Sequence, residues 1–153
     1  AGALFDLRVC AGTVWLAGGD SVAMWEAPGG AAELAVADRT WASFREDVGE
    51  DAWSRVETYD AAVSAVRPDH PYWYLGVLAT RPGVQGRGLG TAVVGPALER
   101  ADRMGVPSCL ETSTPGNLRF YERLGFAITA EVSVPGGPLT WWMQREPGGA
   151  HHA

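Results

Sequence analysis

The hydrophobic and polar residues near the start of the chain predict a β-hairpin. Residues 13–17 and 21–25 contain the branched and aromatic types that strands favour, and the Gly-Gly-Asp sequence between them is typical of a tight turn. Residues 4–9 have the pattern of the last turns of a helix. Residues 31–66 carry apolar side chains at a looser helical spacing, clearest from Trp41 onward, so they predict two or three helices.

The middle of the chain predicts a strand, a helix and a second strand. Residues 72–79 are an apolar and aromatic run, and residues 108–112 are a shorter one. Between them, residues 88–104 repeat apolar positions at helical spacing, and Pro96 predicts a kink in that helix. Because a helix connects the two strands, we expect them to be parallel and joined by a right-handed crossover.

The last third of the chain predicts a short helix and a closing hairpin. Asn117 is a candidate N-cap for a helix over Leu118–Leu124, and Gly125 ends it. Residues 126–129 form a strand, and residues 132–134 pair with 139–144 around a Pro-Gly-Gly-Pro turn. No linker or internal repeat is present, so residues 1–147 are predicted to be one α/β (α+β) domain, with 148–153 as a polar tail.

A glycine-rich loop before the central helix is the main candidate binding site. Gly86, Gly88 and Gly90 allow a tight turn in which backbone N–H groups converge on an anion. The N-terminus of the following helix adds partial positive charge, as do Arg87 within the loop and Arg81 before it. The sequence therefore predicts a phosphate-binding loop.

The spacing of the glycines distinguishes between the known phosphate loops. The Walker A loop requires a lysine that is absent here, and the dinucleotide-binding fingerprint requires G-x-G-x-x-G, whereas this loop reads G-x-G-x-G. Residues 85–90 instead match Q/R-x-x-G-x-G/A, the pyrophosphate loop of the GNAT family of N-acetyltransferases. Residues 117–126 match that family's C-terminal helix-and-strand signature. The chain thus resembles the GNAT family over nearly its whole length.

This resemblance implies a fold and a cofactor. The fold is a mixed, largely antiparallel twisted sheet with helices on both faces, and the parallel strands at 72–79 and 108–112 are splayed at one end. The pantetheine arm of acetyl-CoA would lie in that gap, with its pyrophosphate on the glycine-rich loop; no metal is implied. The implied cofactor-binding residues are Leu78, Ala79, Thr80, Gln85, Gly86, Arg87, Gly88, Leu89, Gly90, Thr91 and Asn117.

Two residues are implied to act in catalysis. Tyr121, at the matching position of the family signature, would stabilise the leaving thiolate of CoA, or else it is a core tyrosine. Glu111, at the end of its strand, would accept the proton of the acceptor amine, or else it is a solvated strand end. Glu57 and Asp60 are weaker candidates for the same role.

The composition of the chain restricts the classes of partner that we expect it to bind. The net charge of −6 argues against a nucleic-acid surface, and no apolar run reaches transmembrane length. The two cysteines, Cys10 and Cys109, have no metal-ligand spacing. We therefore expect a cytoplasmic monomer or homodimer that acts on a small-molecule amine, of the aminonucleoside antibiotic type by resemblance to one branch of the family.

Alternatives at this point are another amine or a peptide N-terminus as acceptor, a non-catalytic acyl-CoA-binding module, and a nucleotide-binding oxidoreductase domain. Compared with the family pattern, the chain begins within the second helix. We therefore expect it to lack the usual N-terminal strand and first helix, which contribute to the acceptor pocket.

Overall fold

The computed structural model of the chain describes residues 2–29, 42 and 44–148. Residues 44–48 are helical, whereas the rest of the predicted helical region before residue 44, including Trp41, lies outside the described residues apart from residue 42. The helices are α1 (Gly2–Cys10), α2 (Glu50–Ser64), α3 (Leu89–Met104) and α4 (Pro115–Arg123), and the strands are β1 (Val14–Ala17), β2 (Ser21–Glu26), β3 (Trp73–Thr80), β4 (Ser108–Thr112), β5 (Ala127–Ser133) and β6 (Leu139–Arg145).

The described strands form a six-stranded sheet in the order β1-β2-β3-β4-β6-β5. Every neighbouring pair is antiparallel except β3 and β4, which are parallel and joined through α3. The predicted mixed, largely antiparallel sheet with one parallel pair is therefore confirmed. The helix that connects β3 and β4 is the reason for that one parallel pair, because a parallel connection needs a crossover.

Helices cover both faces of the sheet, because alternate strand residues point to opposite sides. Trp73 and Leu75 of β3 belong to a core formed with α3 and α4, whereas Tyr74 between them packs against a second core formed with α2. The first core is the larger: the buried residues that α3 gives to it are Val93, Val94, Ala97, Leu98 and Ala101. The second core contains Val63 of α2 together with Cys109, Val132, Val134 and Trp142.

Two predicted boundaries in the last third are wrong. Asn117 is not the N-cap of α4, because the helix starts two residues earlier with Pro115, whose fixed φ suits the first helical position. Thr114 is the N-cap, with extended backbone, and its carbonyl accepts a hydrogen bond from the Asn117 N–H at 3.0 Å. The strand predicted at 126–129 and the segment 132–134 form one strand, β5, in which a bulge at Thr129 absorbs the change of register.

A buried ion pair ties the C-terminal end of α3 to the sheet. Both Nη atoms of Arg145 on β6 donate to the carboxylate of Asp102 on α3, at 2.6 and 2.9 Å, and Arg145 Nε donates to the carbonyl of Leu124 at 3.0 Å. Arg145 is 1% exposed. Because α3 begins at the glycine-rich loop, this contact also helps to fix the position of that loop.

We expect Asp102→Asn to lower the free energy of unfolding by about 3 kcal/mol, because it removes the carboxylate charge that both Nη atoms of the buried Arg145 guanidinium contact. Urea denaturation followed by tryptophan fluorescence measures the change. Asp60→Asn is the matched control: its ion pair with Arg67 is exposed, so the cost should stay below about 1 kcal/mol. Equal effects of the two substitutions would contradict a structural role for the buried pair.

Candidate active site

The parallel strands β3 and β4 separate soon after they begin to pair. Only Trp73 with Ser108 and Tyr74 with Cys109 are aligned across them. The remaining part of β3, residues 75–80, is paired with β2 on its other side but not with β4. The predicted splay of the two strands is therefore present, and it leaves an open edge of backbone between them.

The hydrogen bonds of β3 show which of its backbone groups face this gap. The carbonyl of Ala79 accepts a bond from the Ser21 hydroxyl at 3.1 Å, and the N–H of Arg81 donates to the carbonyl of Asp20 at 2.7 Å. The backbone groups of residues 79 and 81 thus face β2. Because successive residues alternate in direction, those of Leu78 and Thr80 face the gap. Of the three β3 residues predicted to bind the cofactor, Leu78 and Thr80 therefore turn their backbone groups toward the gap, whereas Ala79 does not.

A β-bulge at Gly76 sets this direction. Met24 pairs with Val77 and Trp25 with Leu75, so Gly76 is an extra residue in β3. The N–H of Trp73 bonds to Pro107 on the β4 side at 2.9 Å. Without the bulge, simple alternation from Trp73 would turn Ala79 toward the gap and Leu78 away from it.

The glycine-rich loop has the backbone geometry of an anion site. Gly86 and Gly88 have φ angles of 77° and 79°, in the left-handed region that favours glycine. Gly88 is the N-cap of α3, and no side chain among the described residues caps the helix there. The first helical hydrogen bond runs from the Ala92 N–H to the Gly88 carbonyl, at 3.0 Å. The N–H groups ahead of Ala92 are therefore the unpaired donors of the helix start.

Arg87 in the loop and Arg81 before it differ in whether an ion pair already neutralises their charge. Arg81 is bound to the carboxylate of Asp20, so its charge is already engaged. Arg87 is exposed and has no ion pair within the described ranges. Within the described residues, Arg87 thus keeps its charge available at the loop, whereas the charge of Arg81 is neutralised by Asp20. Gln85 donates from its side chain to the Thr80 carbonyl at 3.3 Å and so links the loop to the end of β3.

Helix α4 lies against the start of α3 at Gly90. A Cβ atom at Gly90 would lie 3.3 Å from Cζ of Phe120, which is tighter than ordinary contact. The absence of a side chain at this position lets Phe120 of α4 approach the start of α3 closely. Asn117 lies one helical turn before Tyr121 on the same side of α4, and it is exposed.

Tyr121 is a buried tyrosine at the loop end of the larger core. It is 8% exposed, and its ring contacts Phe120 and Phe126 edge-on, with centroid distances of 5.2 and 6.1 Å. Burial raises the pKa of its hydroxyl above the usual value of 10. Tyr121 is therefore a neutral hydrogen-bond donor over the ordinary pH range.

Glu111 is held by two tyrosines on the other face of the sheet. The hydroxyl of Tyr74 donates to Glu111 Oε2 at 2.7 Å, and the hydroxyl of Tyr59 approaches Oε1 at 3.5 Å. The pKa values of both tyrosines are raised, first by burial and then by the negative charge of Glu111. Asp60 and Glu57 are exposed, and Asp60 pairs with Arg67 at 3.4 Å instead.

The structure thus separates the two predicted catalytic residues onto opposite faces. Tyr121 belongs to the core under α3 and α4, whereas Glu111 contacts tyrosines that pack with α2. The gap between β3 and β4 is where the two faces meet. Tyr121 and Glu111 therefore lie on different sides of the sheet that the gap divides.

Tyr74 and Tyr59 were not identified from the sequence as part of the site. The signal available for Tyr74 was strand alternation, which turns it away from the buried neighbours Trp73 and Leu75. No comparable signal exists for Tyr59, because its helix meets Glu111 only through tertiary packing. The lone Gly76 inside a strand pattern was a signal for the bulge.

Two further observations concern possible ligands and location. Among the described residues, no group of three or more His, Cys, Asp or Glu side chains is arranged to hold a metal ion. The helices of the described part include none with the length and apolar character needed to cross a bilayer.

A parallel strand pair that splits next to a glycine-rich helix start has the geometry to receive an extended ligand with a phosphate group at one end. Residues 31–126, which contain these elements, match the acetyltransferase (GNAT) family. The match covers more than half of the 153 residues. The chain therefore belongs to the GNAT family and is an acetyl-CoA-dependent N-acetyltransferase.

Solved acetyltransferases have a similar fold. A structure described as histone acetyltransferase HPA2 and related acetyltransferase, from Corynebacterium glutamicum, matches with a TM-score of 0.60 and 22% identity, over 95% of this chain and 73% of that one. An agmatine N-acetyltransferase mutant in its apo form matches with a TM-score of 0.60 and 15% identity, over 92% of this chain and 78% of that one. At this level of identity the likeness concerns the fold.

We expect Gly88→Asp to weaken CoA binding about tenfold or more, corresponding to ~1.4 kcal/mol, because it places a carboxylate among the unpaired N–H donors at the start of α3. Isothermal titration calorimetry with CoA measures the affinity, and circular dichroism checks the fold. Gly136→Asp is the matched control, since Gly136 also has a positive φ, of 69°, but lies in the β5–β6 turn. Unchanged affinity in Gly88→Asp would show that the pyrophosphate binds elsewhere.

Proposed function

We propose that this chain transfers the acetyl group of acetyl-CoA to the primary amine of a small molecule, by direct attack within a ternary complex. The observation that carries the proposal is the gap between β3 and β4, with Glu111 bound by tyrosines on the face of α2 and Tyr121 in the core on the opposite face. Membership of the GNAT family supports the reaction class. The assignment of individual residues rests on the geometry of the site.

The cofactor would bind along the open edge of β3. The amides of its pantetheine arm would pair with the gap-facing backbone of Leu78 and Thr80, as an additional strand does. Its pyrophosphate would accept hydrogen bonds from the N–H groups of the loop, residues 85–91, with Arg87 as counter-charge. Asn117, exposed at the start of α4, would contact the pantetheine arm.

Acetyl transfer then needs a neutral amine and a polarised thioester. The amine nitrogen attacks the thioester carbonyl carbon, so that a C–N bond forms while the proton on nitrogen passes to the Glu111 carboxylate, directly or through a water. The N–H of Leu78 faces the gap and would stabilise the negative charge that develops on the carbonyl oxygen. Collapse of the tetrahedral intermediate breaks the C–S bond and releases the thiolate of CoA.

Tyr121 would serve the departing sulfur as a hydrogen-bond donor. Burial raises the pKa of its hydroxyl, so it holds its proton more firmly than a thiol with a pKa near 8.5. Full transfer of the proton to the thiolate would therefore leave the less favourable anion, a buried phenolate. The hydroxyl contributes most by donating a hydrogen bond as the C–S bond breaks.

We expect Tyr121→Phe to lower kcat about 100-fold while the KM for acetyl-CoA changes little, because the hydroxyl interacts with the sulfur only as charge develops on it. Steady-state kinetics with a thiol-detecting assay measures both constants. Ionisation of Tyr121 should cause no alkaline fall of the wild-type rate below about pH 10, since burial raises its pKa above the usual value.

Tyr72→Phe is the control for this substitution. Tyr72 is half-buried and packs edge-on against Trp142, and its hydroxyl has no hydrogen bond within the described residues. Its replacement should leave kcat unchanged. Wild-type turnover in Tyr121→Phe would reduce Tyr121 to a packing residue of the larger core.

For the acceptor, we infer a puromycin-like aminonucleoside, whose acetylation would inactivate it. The support is sequence resemblance: residues 110–113, 117–126 and 134–143 are similar to the corresponding stretches of puromycin N-acetyltransferase, as is the hairpin of β1 and β2. The net charge of −6 also favours the approach of a cationic amine. A chain of this kind would protect its host from the antibiotic.

We expect puromycin to be acetylated faster than agmatine, spermidine or a peptide with a free N-terminus, because the sequence resembles an enzyme for that acceptor. Mass spectrometry of each amine incubated with the protein and acetyl-CoA identifies the product. The rate should rise with pH until the amine is neutral, since only the neutral form attacks. Acetylation of the other amines but not of puromycin would retain the acetyltransferase activity and overturn the acceptor.

A further inference from the structure

We propose that Tyr74 is a positioning residue, whose hydroxyl holds the Glu111 carboxylate at the point where β3 and β4 separate. The inference rests on the proposed function, in which Glu111 accepts the proton of the amine. It assigns a specific task to a tyrosine in the middle of a strand. Three features of the structure support it: the register of the strands, the packing of the Tyr74 ring, and the difference between the two hydroxyl contacts of Glu111.

The first feature is the position of Tyr74 in the register. Tyr74 and Cys109 are the last aligned pair before the two strands part. Glu111 lies two residues after Cys109, so its side chain is on the same face of the sheet as those of Cys109 and Tyr74. The 2.7 Å hydrogen bond from the Tyr74 hydroxyl to Glu111 Oε2 therefore crosses from β3 to β4 just where backbone pairing ends.

The second feature is that packing fixes the ring of Tyr74. The ring stacks on the indole of Trp142, with centroids 6.1 Å apart and planes 11° from parallel. Trp142 is 1% exposed, and it is the β6 residue that pairs with Glu111 itself. The indole thus supports both the tyrosine that donates and the strand position that carries the acceptor. Because the ring is held in place, its hydroxyl cannot move with the carboxylate. The hydrogen bond therefore sets the orientation of the carboxylate.

The third feature is that the two hydroxyl contacts of Glu111 differ in length. Tyr59, on α2, approaches Oε1 at 3.5 Å, the outer limit of a hydrogen bond, whereas Tyr74 donates at 2.7 Å, the usual length for an O–H donor. Without the Tyr74 hydroxyl, the carboxylate would keep, among the described side chains, only the longer contact with Tyr59. It would then turn away from the start of the gap, where the amine must lie to reach the thioester.

The substitution Tyr74→Phe tests this, because it removes the hydroxyl and keeps the ring that stacks on Trp142. We expect kcat to fall about 10- to 100-fold, the size of effect expected when a reacting group is misplaced by about 1 Å. The KM for acetyl-CoA and the midpoint of thermal unfolding should stay close to the wild-type values. Tyr59→Phe should lower kcat less, and Tyr72→Phe, which is the matched control on the same strand region, should leave it unchanged.

A double-mutant cycle separates positioning from independent effects. If Tyr74 acts through Glu111, Tyr74→Phe should cause no further loss of kcat in the Glu111→Gln background, so that the double variant matches Glu111→Gln alone. Additive losses, or a Tyr74→Phe variant with wild-type kcat, would overturn the inference. Full activity of Glu111→Gln would overturn it as well, since there would be no carboxylate for Tyr74 to position.

A second variant covers the case in which Tyr74→Phe is poorly folded. Glu111→Asp keeps the charge but draws the carboxylate back by one methylene, away from the Tyr74 hydroxyl, and should lower kcat to a similar extent; wild-type kcat in this variant would contradict the inference. Failure of the proposed function has a different outcome. In that case the wild-type protein binds CoA but acetylates none of the amines of the panel, and the positioning role falls with it.

Discussion

The separation of β3 from β4 is the constraint on which the rest of the site depends. A parallel pair that continued to the end of β3 would satisfy its own backbone and leave no place for a ligand. Here pairing stops after Tyr74 and Cys109, and the bulge at Gly76 turns the backbone of Leu78 and Thr80 toward the gap. The cost is an unpaired strand edge within the sheet. An extended ligand with amide groups is the natural complement of such an edge.

The elements around the gap hold it open from both ends. At one end, α3 starts at Gly88 directly after the loop, and its other end is anchored to β6 by Asp102 and Arg145. At the other end, Tyr74 and Glu111 connect the two strands across the point of separation. Binding groups on rigid elements with fixed ends are more accurately placed than groups on loops. The buried ion pair anchors the same helix whose other end starts at the glycine-rich loop.

The electrostatics differ between the two faces. On the side of α3 and α4, Tyr121 is buried among aromatic rings, and its raised pKa keeps it a neutral donor. On the side of α2, a carboxylate is bound by phenol hydroxyls whose pKa values its own charge helps to raise. A neutral phenol and a carboxylate are therefore kept on opposite sides of the sheet.

The sequence by itself determined much of this protein: the strands, the central helix, the glycine-rich loop and the parallel pair follow from local apolar spacing and from glycines at Gly86 and Gly88. These features depend on near neighbours along the chain, which is why pattern and motif spacing reveal them. Tertiary structure alone decided the others. Thr114, not Asn117, is the N-cap of α4, because Pro115 suits the first helical turn. The two predicted segments on either side of Thr129 form one strand with a bulge. Tyr74 and Glu111 are 37 residues apart in sequence, so the hydrogen bond between them depends on the register of their two strands. Tyr59 reaches the same carboxylate only because α2 packs on that face of the sheet.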